Sequence, residues 1–190
     1  MATQSPSATM SAIPVANTAS MPQDVAAKGS ATKTRRAIVL YGSRYGNTKK
    51  VARALARGLI EVPGVEVDCL SLEEVSTATI ASYDLVAVGG PTEWRTASAP
   101  VKQFFSALKG VNLTGHKGFA FDTRYRYALA GSAAKVIQEQ LEKLGATLIR
   151  PNASAFVSAA RAPEQETLLD TGSEEQFEQI GKELGSLLLA

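Results

Sequence analysis

The sequence predicts an α/β fold, a doubly wound five-stranded parallel sheet with helices on both faces. Three observations predict it. Short apolar runs of strand length alternate with longer segments of helical period from Arg36 onward. The runs are apolar at nearly every position, as strands buried on both faces are. Polar, glycine-bearing turns follow the first, third and fourth runs, at the carboxyl ends where such sheets bind ligands.

The elements follow in order. RAIVLY (36–41) reads as a buried strand, and a helix after it recurs at Val51, Leu55 and Leu59. Pro63–Gly64 ends that helix. VEVDCL (65–70) alternates apolar and polar, as an edge strand does, and 71–83 supports only a short helix. DLVAVGG (84–90) is a central strand. Pro100 opens a helix at a position where proline is tolerated, with Val101, Phe104, Phe105 and Leu108 inward. KGFAFDT (117–123) is the fourth strand. Ser132 to Leu144 is a helix with Ala133, Val136, Ile137 and Leu141 on one face and Gly145 as its C-terminal cap. ATLI and ASAFV, between 146 and 157, make a fifth strand interrupted at Pro151. Ser173–Glu174–Glu175–Gln176 has the capping-box pattern and starts a last helix, with Phe177, Ile180, Leu184 and Leu187 inward.

The folded domain is expected to span 35–190. Residues 1–34 are different: rich in Ala, Ser, Thr and Pro and poor in large apolar side chains, they bury too little to offset their ordering entropy and read as a disordered tail. The tail lacks the apolar core of a secretory signal and the Arg-rich amphipathic face of an organelle transit peptide. A cytoplasmic protein is therefore expected, with organelle targeting a minor alternative.

Composition narrows the function classes. The chain is 45% hydrophobic and 20% charged, as ordinary globular proteins are. A net charge of +2 argues for no nucleic-acid partner. One cysteine, Cys69, supports no internal disulfide and fits a reducing compartment. No apolar run reaches the roughly 18 residues a membrane span needs. No metal-ligand cluster stands out. Cys69, on a strand with no basic partner nearby in sequence, reads as a buried inert thiol. His116 reads as a solvated loop residue at the end of the sheet opposite the ligand edge.

The turn Gly42–Ser43–Arg44–Tyr45–Gly46–Asn47–Thr48 carries the first functional signal. It contains no GxGxxG dinucleotide fingerprint and lacks the lysine of GxxxxGK[ST]. The acidic residues a receiver domain needs are missing from the ends of strands one and three. What remains is a turn whose backbone N–H groups, with the hydroxyls of Ser43 and Thr48, converge at a helix N-terminus. Such a turn suits a single phosphate, or else is a plain strand–helix connection whose Ser, Asn and Thr cap. The residues alone leave both readings open.

VLYGSRYGNTKKVARAL (39–55) resembles the signature of the flavodoxin family, met here by Val39, Leu40, Tyr41, Ser43, Gly46, Thr48, Ala52 and Leu55. Two later loops, GGPTEWRTASAPVKQFF and FDTRYRYALAGSAAK, are similar to the loops that flank the flavin ring in that family. No long insertion splits strand five, which is the short-chain type. The resemblance implies the strand order 2-1-3-4-5 and non-covalently bound FMN. It places the 5′-phosphate on Ser43, Arg44, Tyr45, Gly46, Asn47 and Thr48. It sets Pro91, Thr92, Glu93, Trp94 and Arg95 along the ring, with Trp94 stacking on it, a flat apolar partner for a flat apolar ring. Asp122, Thr123 and Arg124, with Tyr125 or Tyr127, approach the pyrimidine side.

The implied function is a redox carrier that passes electrons from a reductase to an acceptor protein. The alternatives are an FMN-dependent oxidoreductase acting on a quinone, a nicotinamide nucleotide or a porphyrinogen, and a flavin-free interaction domain. SRYGNT is similar to the phosphate loop of a flavodoxin-like protoporphyrinogen oxidase, but nothing downstream matches it. The chain departs from the electron-shuttling flavodoxins in charge: those are acidic, whereas Arg44, Arg95, Arg124 and Arg126 all fall in the three loops here. A basic rim implies an acidic protein partner or an anionic small molecule.

Overall fold

A computed structural model describes residues 34–127, 129–158 and 167–190. The tail expected over 1–34 lies, but for Thr34, outside the described residues. β1 (Arg35–Tyr41), β2 (Val65–Ser71), β3 (Leu85–Glu93), β5 (Lys117–Tyr125) and β7 (Ala153–Ser158) are the long strands. They pair in parallel in the order β2-β1-β3-β5-β7. This is the expected doubly wound order. Three two-residue strands decorate it. β4 (Thr96–Ala97) pairs antiparallel with β3, β6 (Thr147–Leu148) pairs in parallel with β5, and β8 (Leu168–Leu169) closes the far edge antiparallel to β7.

Helices α1 (Asn47–Ile60) and α4 (Ser173–Leu189) cover one face, and α2 (Ala99–Ala107) and α3 (Ala133–Lys143) cover the other. Successive strand residues therefore point into different cores. Ala37, Val39 and Tyr41 join α1 and α4, while Ile38 and Leu40 join α2 and α3. β5 divides likewise, with Phe119 and Phe121 on one side and Ala120 on the other. With both faces dry, a polar residue at any of these positions would be buried without a partner, which explains the continuous apolar runs.

Close approach sets some of the small residues. A Cβ on Gly89 would overlap the Phe121 ring, and one on Gly58 would overlap the carbonyl of Glu178 where α1 crosses α4. Among the described residues no helix is long and apolar enough to cross a membrane.

The short helix expected within 71–83 is a 3₁₀ stretch, Thr77–Ser82. Three local expectations change. The strand expected to end at Gly90 runs on to Glu93 and turns back through β4. Gly172, not Ser173, caps α4: it sits at φ 82°, and no side chain bonds the first turn. Leu187 is 45% exposed, and Leu188 takes its place in the core. From Phe177, eleven residues bring a helix back to the same face, whereas ten leave it about 80° away.

Candidate functional site

The sheet topology sends the turns after β1, β3 and β5 to one carboxyl edge, where they enclose a cavity of about 650 Å³. That size lies within the roughly 300–1,000 Å³ of small-molecule sites.

The first wall is the β1–α1 turn. Gly46 adopts φ 83°, a left-handed conformation that costs glycine little, and it swings the chain into α1. No side chain caps the helix. Among the described residues, none of the backbone amides of 43–48 donates to a protein acceptor. The Ser43 hydroxyl accepts only a long bond, 3.4 Å, from the Lys49 amide. Ser43, Arg44, Tyr45, Asn47 and Thr48 line the cavity. Free amides at a helix N-terminus form an anion site, because the donors converge and the helix dipole adds positive potential there.

Thr48 is buried, and its hydroxyl pairs with that of Thr123 at 2.8 Å, joining the β1 turn to the end of β5. Asn47 donates from its side-chain amide to the carbonyl oxygen (2.7 Å) and hydroxyl (2.9 Å) of Thr167, tying the turn to the segment before β8.

The second wall is the β3–β4 hairpin. Thr92 pairs with Ala97 and Glu93 with Thr96, which leaves Trp94 and Arg95 as a two-residue turn. Both sit in the left-handed region, Trp94 at φ 47° and Arg95 at φ 68°. Hairpins with two positive φ angles favour Asn-Gly, and bulky residues there store strain. The neighbouring loop holds the turn in place. Arg95 forms a β-bridge with Gly131, where any Cβ would overlap the Arg95 backbone. Trp94 is 97% exposed at the tip. Its ring is a free apolar face on the cavity wall.

The third wall follows β5, through Thr123, Arg124, Tyr125 and Tyr127. Arg124 donates to the Gly131 carbonyl at 2.8 Å, and its Nε is buried without a partner. Arg126 turns away to pair with Asp170 at 3.1 Å. Both guanidinium groups lie against the Phe156 ring, at 5.4 and 4.4 Å.

Asp122 lies behind the cavity, fully buried, instead of lining it. Its Oδ2 accepts from the hydroxyls of Thr92 (2.9 Å) and Ser132 (2.8 Å) and from the Ala134 amide (3.1 Å). The Thr92 hydroxyl oxygen in turn accepts from the Ala133 amide at 2.8 Å. One carboxylate thus fastens the hairpin, the loop after β5 and the start of α3 together.

Most residues expected in the site meet at this cavity: Ser43, Arg44, Tyr45, Asn47, Thr48, Pro91, Thr92, Glu93, Trp94, Arg95, Thr123, Arg124 and Tyr127 all line it. Tyr125 lines it too. Gly46 shapes the turn and Asp122 braces the walls. Ala130, Val157 and Thr167 also line it and were not anticipated. Val157 was within reach of sequence reasoning, because it ends a strand whose carboxyl end lies on the same edge. Thr167 was not, since only the Asn47 contact brings it near. Elsewhere, His116 sits at the other end of the sheet, its Nδ1 2.7 Å from the Tyr83 carbonyl oxygen. Cys69 is half-buried on β2, and burial pushes its thiol up to about 11.

The donor set suits a phosphorylated flat ring. A cradle of unpartnered amides serves the phosphate, and exposed Trp94, Tyr45 and Tyr127 offer flat apolar surface to the ring. Comparison with known proteins agrees. The flavodoxin family model matches residues 39–179. A flavodoxin of Aquifex aeolicus is 35% identical over 75 residues, 40% of this chain and 40% of that protein. The type A flavoprotein fprA of Rhodobacter capsulatus is 30% identical over 118 residues, 60% of this chain and 26% of that protein. This chain therefore spans well under two thirds of the length of either relative. Among solved structures, a flavodoxin from the domain Archaea superposes with a TM-score of 0.67 at 24% identity, covering 80% of this chain and 98% of that one. The fold, the turn after β1 and the family match converge, and the chain belongs to the flavodoxin family, whose cofactor is FMN.

Proposed function

We propose that the protein is an electron carrier, taking electrons from a reductase and passing them to an acceptor protein through FMN held in this cavity. The observation that carries the proposal is the outer wall. It consists of exposed aromatic side chains, Trp94 at 97% and Tyr127 at 59%, directly on the protein surface. A docked protein can therefore come close to whatever ring the cavity holds. Electron transfer between proteins needs that proximity and no bond-making residue. Among the described residues the cavity is lined by no histidine or cysteine that could serve as proton donor or nucleophile.

FMN supplies the electron-accepting ring. The chain's own residues would bind and orient it. The amides of 43–48 and the Thr48 hydroxyl would take the phosphate, Trp94 would cover one ring face and exclude water, and Asp122 would hold the hairpin that carries Trp94. Residues 35–190 would suffice for this, and the single cysteine supports a reducing, cytoplasmic setting.

Anaerobic titration tests the reading. Bound FMN is expected to stay oxidised with NADPH alone and to be reduced once a flavodoxin reductase is added. A chain starting at Thr34 should behave as the full chain does. Rapid reduction by NADPH alone, with turnover on a quinone, would overturn the carrier reading in favour of an FMN-dependent oxidoreductase.

A further inference from the structure

The helices that open at the cavity edge carry their charges against the usual preference. A helix N-terminus favours acidic residues in its first turn. α4 follows this rule with Glu174 and Glu175. α1, α2 and α3 have no acidic residue in the first turn. They open instead with Lys49 and Lys50, with Lys102, and with Lys135. The turns add Arg44, Arg95 and Arg124. None of these seven cations is within ion-pair distance of a described carboxylate, whereas Arg126 beside them is paired with Asp170. The other described acids at this edge are Glu73 and Glu74 after β2 and Glu93 on the hairpin. Positive helix ends and unpaired cations reinforce one another, so the edge carries a positive field against the direction that local helix stability favours.

Resting on the carrier reading, we propose that this edge docks an acidic face of a redox partner protein, one rich in Asp and Glu around its own electron-transfer group. A small anion seated in the cavity would meet only Arg44, Arg95 and Arg124, which line it. Lys50, Lys102 and Lys135 are exposed, lie outside the cavity lining and start helices on both faces of the sheet. Only a partner as broad as a protein surface engages all of them. Complementary charge of this kind raises the association rate and makes it fall with salt.

The test uses the full chain with FMN bound and reduced. Electron transfer to two oxidised haem proteins, acidic cytochrome b5 and basic cytochrome c, is followed by stopped flow. The rate with cytochrome b5 is expected to fall about tenfold as salt rises from roughly 20 to 500 mM, and the rate with cytochrome c to rise. The double variant Lys102→Glu/Lys135→Glu should keep its FMN and lose most of the low-salt advantage with cytochrome b5. A rate with cytochrome b5 that rises with salt would overturn the proposal. So would a double variant that transfers as the parent does, an outcome that points to a small anion in the cavity. Transfer to neither cytochrome would overturn the carrier reading itself.

Discussion

The two ends of the sheet are built differently. At the amino end, groups are paired. Arg35 holds Asp84 at 2.8 Å, the Arg36 amide donates to the same carboxylate at 2.9 Å, and Tyr83 donates to Asp68 at 2.7 Å. That hydrogen bond, with burial, raises the Tyr83 hydroxyl above its usual range. At the carboxyl end, among the described residues, the amides of 43–48 have no protein acceptor, Arg44, Arg95 and Arg124 make no ion pair, the Trp94 ring is exposed, and two bulky residues hold left-handed angles. Stability is collected at one end and binding capacity kept at the other. Unsatisfied donors and backbone strain are tolerable there because buried contacts beneath them, the three bonds to Asp122 Oδ2 and the Thr48–Thr123 pair, hold the loops together. Substitutions at the two ends should therefore have different signatures.

The largest effect is expected at the brace. Asp122→Ala strands two hydroxyls and an amide and should lower stability by about 3 kcal/mol, since each buried group left unpaired costs roughly 1–3 kcal/mol. FMN and riboflavin should both bind at least tenfold more weakly as the hairpin loosens. Urea melts and flavin fluorescence measure these two effects. Asp122→Asn, whose oxygen can take over the Oδ2 contacts and whose nitrogen fits at the unpartnered Oδ1, should retain most of both. Equal losses in the two variants would mean that the contacts with Thr92 and Ser132 do not hold the loops.

Thr48→Val comes next. Removing a donor to a charged phosphate costs roughly 1.5–3 kcal/mol, a tenfold to hundredfold loss of FMN affinity. Riboflavin, which lacks the phosphate, should bind almost as before. The variant should also melt earlier, by about 1 kcal/mol, because Thr123 loses its buried partner. Equal weakening of both ligands would show that the turn does not hold the phosphate.

Trp94→Gly is the sharpest separation of stability from binding. Glycine relieves the left-handed strain at φ 47°, worth about 1 kcal/mol, and no buried packing is lost from a side chain this exposed. The flavin-free protein should be more stable and the FMN affinity lower. A variant both less stable and weaker in binding would place Trp94 in the architecture and not in the site.

Arg35→Ala is the matched control at the amino end. A partly exposed ion pair is worth no more than about 1 kcal/mol, and FMN affinity should not move. Smallest of all is Cys69. Burial raises its thiol from 9.0 to about 11, so the stability linked to the neutral form is complete below pH 9 and is lost as pH rises from 9 toward 11. Iodoacetamide should therefore alkylate the folded chain slowly at pH 8 and the urea-unfolded chain readily.

Much of the fold is legible in the order of residues. Burial on both faces leaves continuous apolar runs such as DLVAVGG, and Gly46 marks the sharp entry into α1. The β3–β4 hairpin is not legible, because its turn residues are Trp and Arg where local preference asks for Asn and Gly. The role of Asp122 is hidden as well. It sits in the same FDTR stretch as residues that do line the cavity. Only the parallel pairing of β3 with β5, which sets Gly90 against Asp122, brings Thr92 thirty residues away onto its carboxylate.

By itself, then, the sequence determined the layered α/β class and the turn that suits a phosphate. Those features follow from local periodicity and from the few residues that accept a left-handed turn. Tertiary structure alone decided which side chains face the ligand and which brace it, that the Trp94–Arg95 strain is held by Gly131, and that the cations of three separate helices share one edge. These depend on contacts between residues far apart in the chain, whose direction no local pattern encodes.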